Sequence, residues 1–159
     1  MALWSAGINT LADEVRAAVA SNFSAAMKPL VVAFEETSAH KIVLSFGSTG
    51  KHYAQIKNGA PFDVFLAADV ARPALLEEQG LINIGSRTTY ATGKLVLWTS
   101  QPNVNDIQDT LLSGLAIGHL AVANPKLSPY GMAAQQVMVE LGLWAMLKLS
   151  LIHISEPTR

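Results

Sequence analysis

Three short stretches of this chain carry residues that can do chemistry. They are Ser21-Asn22 before Phe23, Gly47-Ser48-Thr49-Gly50 before Lys51, and Ser128-Pro129-Tyr130-Gly131 before Met132. In each, a β-type run ends, hydroxyl or amide side chains follow, and a helix-type run begins. A helix start presents unpaired backbone N–H groups and the positive end of the helix dipole. Hydroxyls fixed beside it add further donors, so the chemistry on offer is the binding of an anion. Any one such junction is explained by capping alone, because Ser and Asn are ordinary helix caps. Three at the ends of βα units favour an anion site.

The middle stretch, "SFGSTGKHY" (45–53), resembles a phosphate loop. Its glycines lack the spacing of a P-loop, and His52 stands where the magnesium-binding Ser or Thr belongs. It therefore reads as an anion loop without a nucleotide.

Other chemistries find little support. His40, His52, His119 and His153 show no metal-ligand spacing, so solvated or capping roles are expected and no metal cation is implied. Asp63 begins a strand after a Gly-Ala-Pro turn, and Asp69 begins a helix, where it caps. No nucleophile elbow is present, and no nucleophile–base pair can be assembled, so an enzyme is not expected. Trp4, Trp98 and Trp144 read as core or interface residues.

The elements that position these residues follow from periodicity. "VRAAVA" (15–20), "KIVLSFG" (41–47), "FDVFLAA" (62–68) and "LAIGHLAVAN" (115–124) have strand character. Helical spacing runs through residues 23–39, where Phe23, Met27, Leu30, Val31 and Phe34 form one face interrupted by Pro29. Further helices are expected over 51–59, 71–80, 103–114 and 128–144. Gly59 and Gly80 act as stops, Ser128 as N-cap and Pro129 as first helical residue. Residues 88–100 form one long extended stretch that leaves one sheet for another. Strands alternating with helices predict an α/β fold with mostly parallel sheets.

Composition narrows the function. The chain has 159 residues, half of them hydrophobic, and a formal net charge of −1. That is enough apolar material for a core, and it gives no basic footprint for nucleic acid. No apolar run approaches the roughly 20 residues a membrane-spanning helix needs, so direct membrane insertion is not expected. The absence of cysteine excludes disulfides, thiolate metal sites and a lipoprotein anchor. Residues 1–12 end in Thr10-Leu11-Ala12 ahead of acidic Asp13 and Glu14, like the cleavage region of an export signal. The cationic start of such a signal is missing, so a partial leader is expected.

The stretches "VASNFSAAM", "SFGSTGKHYAQIKNGAPFDVFLAAD", "YATGKLVLW" and "LAVANPKLSPYGMAAQQVMVELGLW" resemble the periplasmic molybdate-binding proteins of ABC transporters, in the family's order and spacing. The resemblance implies a type II periplasmic binding protein-like fold whose two lobes close on a tetrahedral oxyanion. It assigns residues 13–89 to the first lobe and 90–148 to an incomplete second lobe. Ser21 and Asn22 match a first ligand loop, Ser48 a second and Tyr130 a third contact, with Thr49 adjacent. The implied ligand is molybdate or tungstate, chosen over sulfate by cavity size. The implied partner is a membrane permease, the implied location periplasmic, and the implied state monomeric, with no further cofactor. Binding of sulfate or phosphate by the same fold is the nearest alternative. A ligand-sensing regulatory domain would need a helix-turn-helix, which is absent.

The ending departs from the family. The family's chain continues past this point and crosses back to complete the first lobe. Residues 149–159, "LSLIHISEPTR", are expected to have no family counterpart, and a transposase-type sequencing adapter spells them residue for residue. A truncated chain, binding oxyanion weakly or not at all, is the expectation that follows.

Overall fold

A computed structural model describes residues 13–100, 109, 119–147 and 151–154. The partial leader, most of the helix expected over 103–114, and Trp4 lie outside the described residues.

The first unit is built on β1 (Glu14–Ala20), β2 (Lys41–Gly47) and β3 (Val64–Leu66), in the order β2-β1-β3 with every pairing parallel. The central strand is the apolar "VRAAVA" run. A middle strand of a parallel sheet is covered on both faces, so it carries continuous small apolar residues rather than an alternation. Ala17, Ala18, Val19 and Ala20 are accordingly buried. Helix α1 (Ser24–Thr37) packs on β2, while α2 (Thr49–Lys57) packs on β1 and against α3 (Ala71–Glu78). Gly59 and Gly80 follow α2 and α3 at φ 83° and 67°, the left-handed turns expected of them.

Helix α1 differs from its predicted role. None of its residues is buried, and Leu30 and Phe34 of the expected apolar face are exposed. The helix forms where predicted, but its apolar stripe is only partly covered.

The second unit pairs β4 (Leu120–Ala123) with β5 (Leu151–Ile154), in parallel register from Leu120↔Leu151 to Ala123↔Ile154. Helix α4 (Pro129–Glu140) packs on β4, and α5 (Trp144–Leu147) follows Gly142 at φ 71°. Val122, Met138, Leu143 and Leu147 form its core, with Leu97 and Trp144 packed against them. Part of the closing segment, residues 151–154, thus occupies a strand position.

Among the described residues, 88–100 form no strand. An extended run becomes a strand only beside a neighbour that accepts its hydrogen bonds, and both described sheets pair elsewhere. Trp98 on this run is 79% exposed, so it is not a core residue of the described chain.

Candidate functional site

The β1–β2 register fixes the first two junctions. Ala20 is opposite Gly47, so Ser21 and Ser48 leave the carboxyl ends of adjacent strands together. Neighbouring strands lie about 5 Å apart, which puts the two hydroxyls within reach of one small ligand. Ser21 begins a 3-10 turn (Ser21–Phe23) leading into α1, and Ser48 is the N-cap of α2.

The third junction comes from the second unit. Ser128 caps α4, with its hydroxyl accepting from the Gly131 N–H at 3.5 Å, and Pro129 holds the first helical position. Gly131 is required there because a Cβ would overlap the Ala123 carbonyl. This close approach of α4 to β4 aims Tyr130 at the first unit. The Asn22 amide donates to the Tyr130 hydroxyl at 3.3 Å, and the Gly50 N–H donates to the Leu127 carbonyl at 3.3 Å. All three helix starts converge.

The donors are uncommitted in a way that suits an acceptor-only ligand. The Ser48 oxygen accepts from the Lys51 N–H at 3.2 Å, which leaves its own proton free to donate. Tyr130 accepts from Asn22 and likewise keeps its proton. Ser21 stands apart: its Oγ is buried and has no hydrogen-bond partner. A buried hydroxyl left unpaired costs about 1–3 kcal/mol, which makes Ser21 a candidate contact for a bound group.

Thr49, the adjacent candidate, faces elsewhere. It is fully buried, and its oxygen accepts the Ala68 N–H at 3.0 Å, tying α2 to the chain beyond β3. Asp63 accepts the Arg16 N–H at 2.8 Å, and Asp69 caps α3 by accepting the Arg72 N–H at 2.9 Å; both roles are structural.

His52 corrects the expectation of a solvated or capping histidine. It is buried on the sheet side of α2, with Nε2 3.2 Å from the Val19 carbonyl and Nδ1 3.0 Å from the Gln55 amide oxygen. Phe62 and Phe65 meet its ring edge-on, and glycine at position 47 leaves room for it. It is a core residue. Among the described residues no cluster of three or more His, Cys, Asp or Glu is arranged to hold a metal.

Beside the junctions lies a cavity of about 400 Å³ lined by Asn22, Tyr130, residues 67–70 and residues 87–93. Ser21 and Ser48 do not line it, so it adjoins the convergence point rather than coinciding with it. Tyr90 forms part of its wall, donating to the Ala67 carbonyl at 2.8 Å and packing on Phe23 at 5.1 Å between ring centroids. Burial, and then the nearby Tyr130, push the Tyr90 hydroxyl above its usual pKa, so it stays a neutral donor. A Cβ at Gly93 would fall 2.5 Å from the Tyr130 hydroxyl, so that glycine makes the close packing possible.

The family model for bacterial extracellular solute-binding proteins matches residues 15–159. The chain belongs to this family. The match takes in residues 149–159, the segment for which no counterpart was expected. Among solute-binding relatives, the molybdate-binding protein ModA of Azotobacter vinelandii is 52% identical over 142 residues, covering 89% of this chain and 56% of that protein. ModA of Rhodobacter capsulatus is 44% identical over 141 residues, with the same coverage of 89% and 56%. The solved periplasmic molybdate-binding protein of Azotobacter vinelandii superposes with a TM-score of 0.79 at 41% identity, over 88% of this chain and 62% of that one. The chain thus spans a little over half the length of the curated relatives it matches. The named relatives are binding proteins, in keeping with a solute-binding fold.

Sequence reasoning missed Arg72, Tyr90 and Gly93. Tyr90 and Gly93 left a trace, both inside the quoted "YATGKLVLW", and Arg72 left none.

Proposed function

We propose that this solute-binding protein captures molybdate, or its near twin tungstate, in the periplasm and delivers it to the membrane permease of an ABC transporter. Residues 13–89 and 90–148 are its two lobes, and Ser21, Asn22, Ser48 and Tyr130 hold the anion between them. The observation that carries this is the buried, unpartnered Ser21 hydroxyl beside Ser48, faced by the Asn22–Tyr130 pair. All four side chains are neutral donors. A tetrahedral dianion offers only acceptors, and in a closed cleft away from water each such bond is stronger than in solution. Being bound by neutral groups, the ligand is released when the cleft opens, without a stranded buried cation. The relatives' names supply the ligand's identity, and the binding is taken to be that of a monomer.

Calorimetric titration of the protein with molybdate, tungstate, sulfate and phosphate tests this. Molybdate and tungstate should bind more tightly than the two smaller anions. Ser21→Ala should weaken molybdate binding about ten- to a hundredfold, the worth of one desolvated hydrogen bond to an ion. Equal affinity for sulfate, or no effect of Ser21→Ala, would sink the assignment.

A further inference from the structure

The chain between β4 and Tyr130 is a tight internal turn. Asn124 accepts the Leu127 and Ser128 N–H groups through its carbonyl at 3.1 and 2.8 Å, and the Lys126 N–H through its side-chain oxygen at 2.9 Å. The turn's N–H groups face inward, while two successive carbonyls, of Lys126 and Leu127, meet the first unit. Leu127 receives the Gly50 N–H at 3.3 Å, and Lys126 receives Nη2 of Arg72 at 3.2 Å.

Arg72 is built for this contact. Its side chain is only 12% exposed, and Asp69 pairs with Nη1 while also accepting the Arg72 N–H at 2.9 Å. The carboxylate fixes the plane of the guanidinium and leaves the other nitrogen to reach across. A bond from a charged, preorganised donor to a carbonyl is among the stronger hydrogen bonds a protein makes. Gly50 closes the cluster. A Cβ there would lie 3.0 Å from the Leu127 oxygen and 3.5 Å from Nη2 of Arg72, so the two units meet at this spot only over a glycine.

From this cluster we infer that Arg72 is a latch. It holds the turn that carries Tyr130 against the start of α2 and so keeps the candidate anion cleft closed. It touches no ligand and is a positioning residue. The role at the cleft rests on the function proposed above, while the latch itself is a property of the protein without ligand. Its two contact points, Arg72 on α3 and Gly50 on α2, grip adjacent carbonyls, so the turn is fixed in rotation as well as in distance.

Amide hydrogen exchange on the full chain, without anion, decides the latch. In Arg72→Met the Gly50 amide should exchange about tenfold faster, the loss of roughly one charge-assisted bond, while amides of β1 keep their rates. Gly50→Ala leaves Arg72 and Asp69 paired yet wedges the same contact, and should raise exchange at Leu127 and Ser128 likewise. An unchanged Gly50 rate in Arg72→Met overturns the latch. Equal acceleration throughout β1 overturns it too, since Arg72 would then merely stabilise the fold. Where the unaltered chain binds molybdate, Arg72→Met should speed dissociation about tenfold, and Arg72→Lys should restore part of the loss. An unaltered dissociation rate there overturns the role at the cleft. If the unaltered chain does not bind molybdate, the proposed function fails, and Gly50 exchange alone decides the latch.

Discussion

Ser21 and Thr49 show how one residue type can serve opposite ends. Both are hydroxyl residues at a helix start, and the sequence treats them alike. The Thr49 oxygen is occupied by the Ala68 N–H, whereas the Ser21 oxygen has nothing. The difference arises because Thr49 is the first residue inside α2 and points back over the sheet toward the chain leaving β3, whereas Ser21 sits at the strand's very end. Thr49→Val keeps shape and volume but orphans a backbone N–H. It should lower stability by about 1–3 kcal/mol in a denaturant melt. Any loss of anion affinity should disappear once stability is restored by lower temperature. A direct loss of affinity at full stability would make Thr49 a ligand instead.

At the level of elements, the helix starts and their partner strands were legible because caps, left-handed glycines and apolar runs are local signals. Ser48, Ser128, Gly59 and Gly80 all hold the positions their types suggest. What stayed hidden was non-local. The burial of His52 depends on which side of α2 meets β1, and whether residues 88–100 become a strand depends on what lies beside them. The convergence of Asn22 with Tyr130 spans 108 positions and leaves no trace in spacing.

Two carboxylates tie an element to the chain that follows it. Glu35, near the end of α1, accepts the Ile42 N–H at 2.8 Å and the Lys41 ammonium at 2.9 Å, clamping the helix to the start of β2. Glu77, at the end of α3, accepts the Gly85 N–H at 2.8 Å and Arg87 at 2.7 Å. In each case the backbone N–H, and then the cation, hold the carboxyl below its ordinary value of 4.5. A lowered folded pKa means the unfolded chain takes up protons first as pH falls. The stabilisation is therefore fully present above pH 4.5 and drains away below it. Melting temperature measured from pH 6 down to pH 3 should fall below that point, and less steeply in Glu35→Gln. The same slope in Glu35→Gln would mean that the clamp does not contribute.

Across the whole molecule, the first unit holds its central strand far better than its flanks. β1 is buried from Ala17 to Ala20, yet Val43 on β2 and Val64 on β3 are 46% and 45% exposed. Val43 is in register with Arg16 and Val64 with Ala17. Adjacent residues of a strand point to opposite faces, so each face of the sheet has an uncovered apolar position. Leu30, Val32 and Phe34 add exposed apolar surface on α1. Among the described residues no strand pairs with the outer side of β3, and an edge flanked by apolar side chains is a template for a second copy. The chain should therefore bind an apolar dye in its folded state and associate with rising concentration in a sedimentation experiment. A charge on the edge strand opposes such pairing at little cost where the side chain already meets solvent. Val64→Lys should thus shift the chain toward monomer while changing stability by no more than about 0.5 kcal/mol. If Val64→Lys associates as the parent does and α1 variants such as Val32→Lys do not, the sticking surface is the helix and the strand edge is already protected.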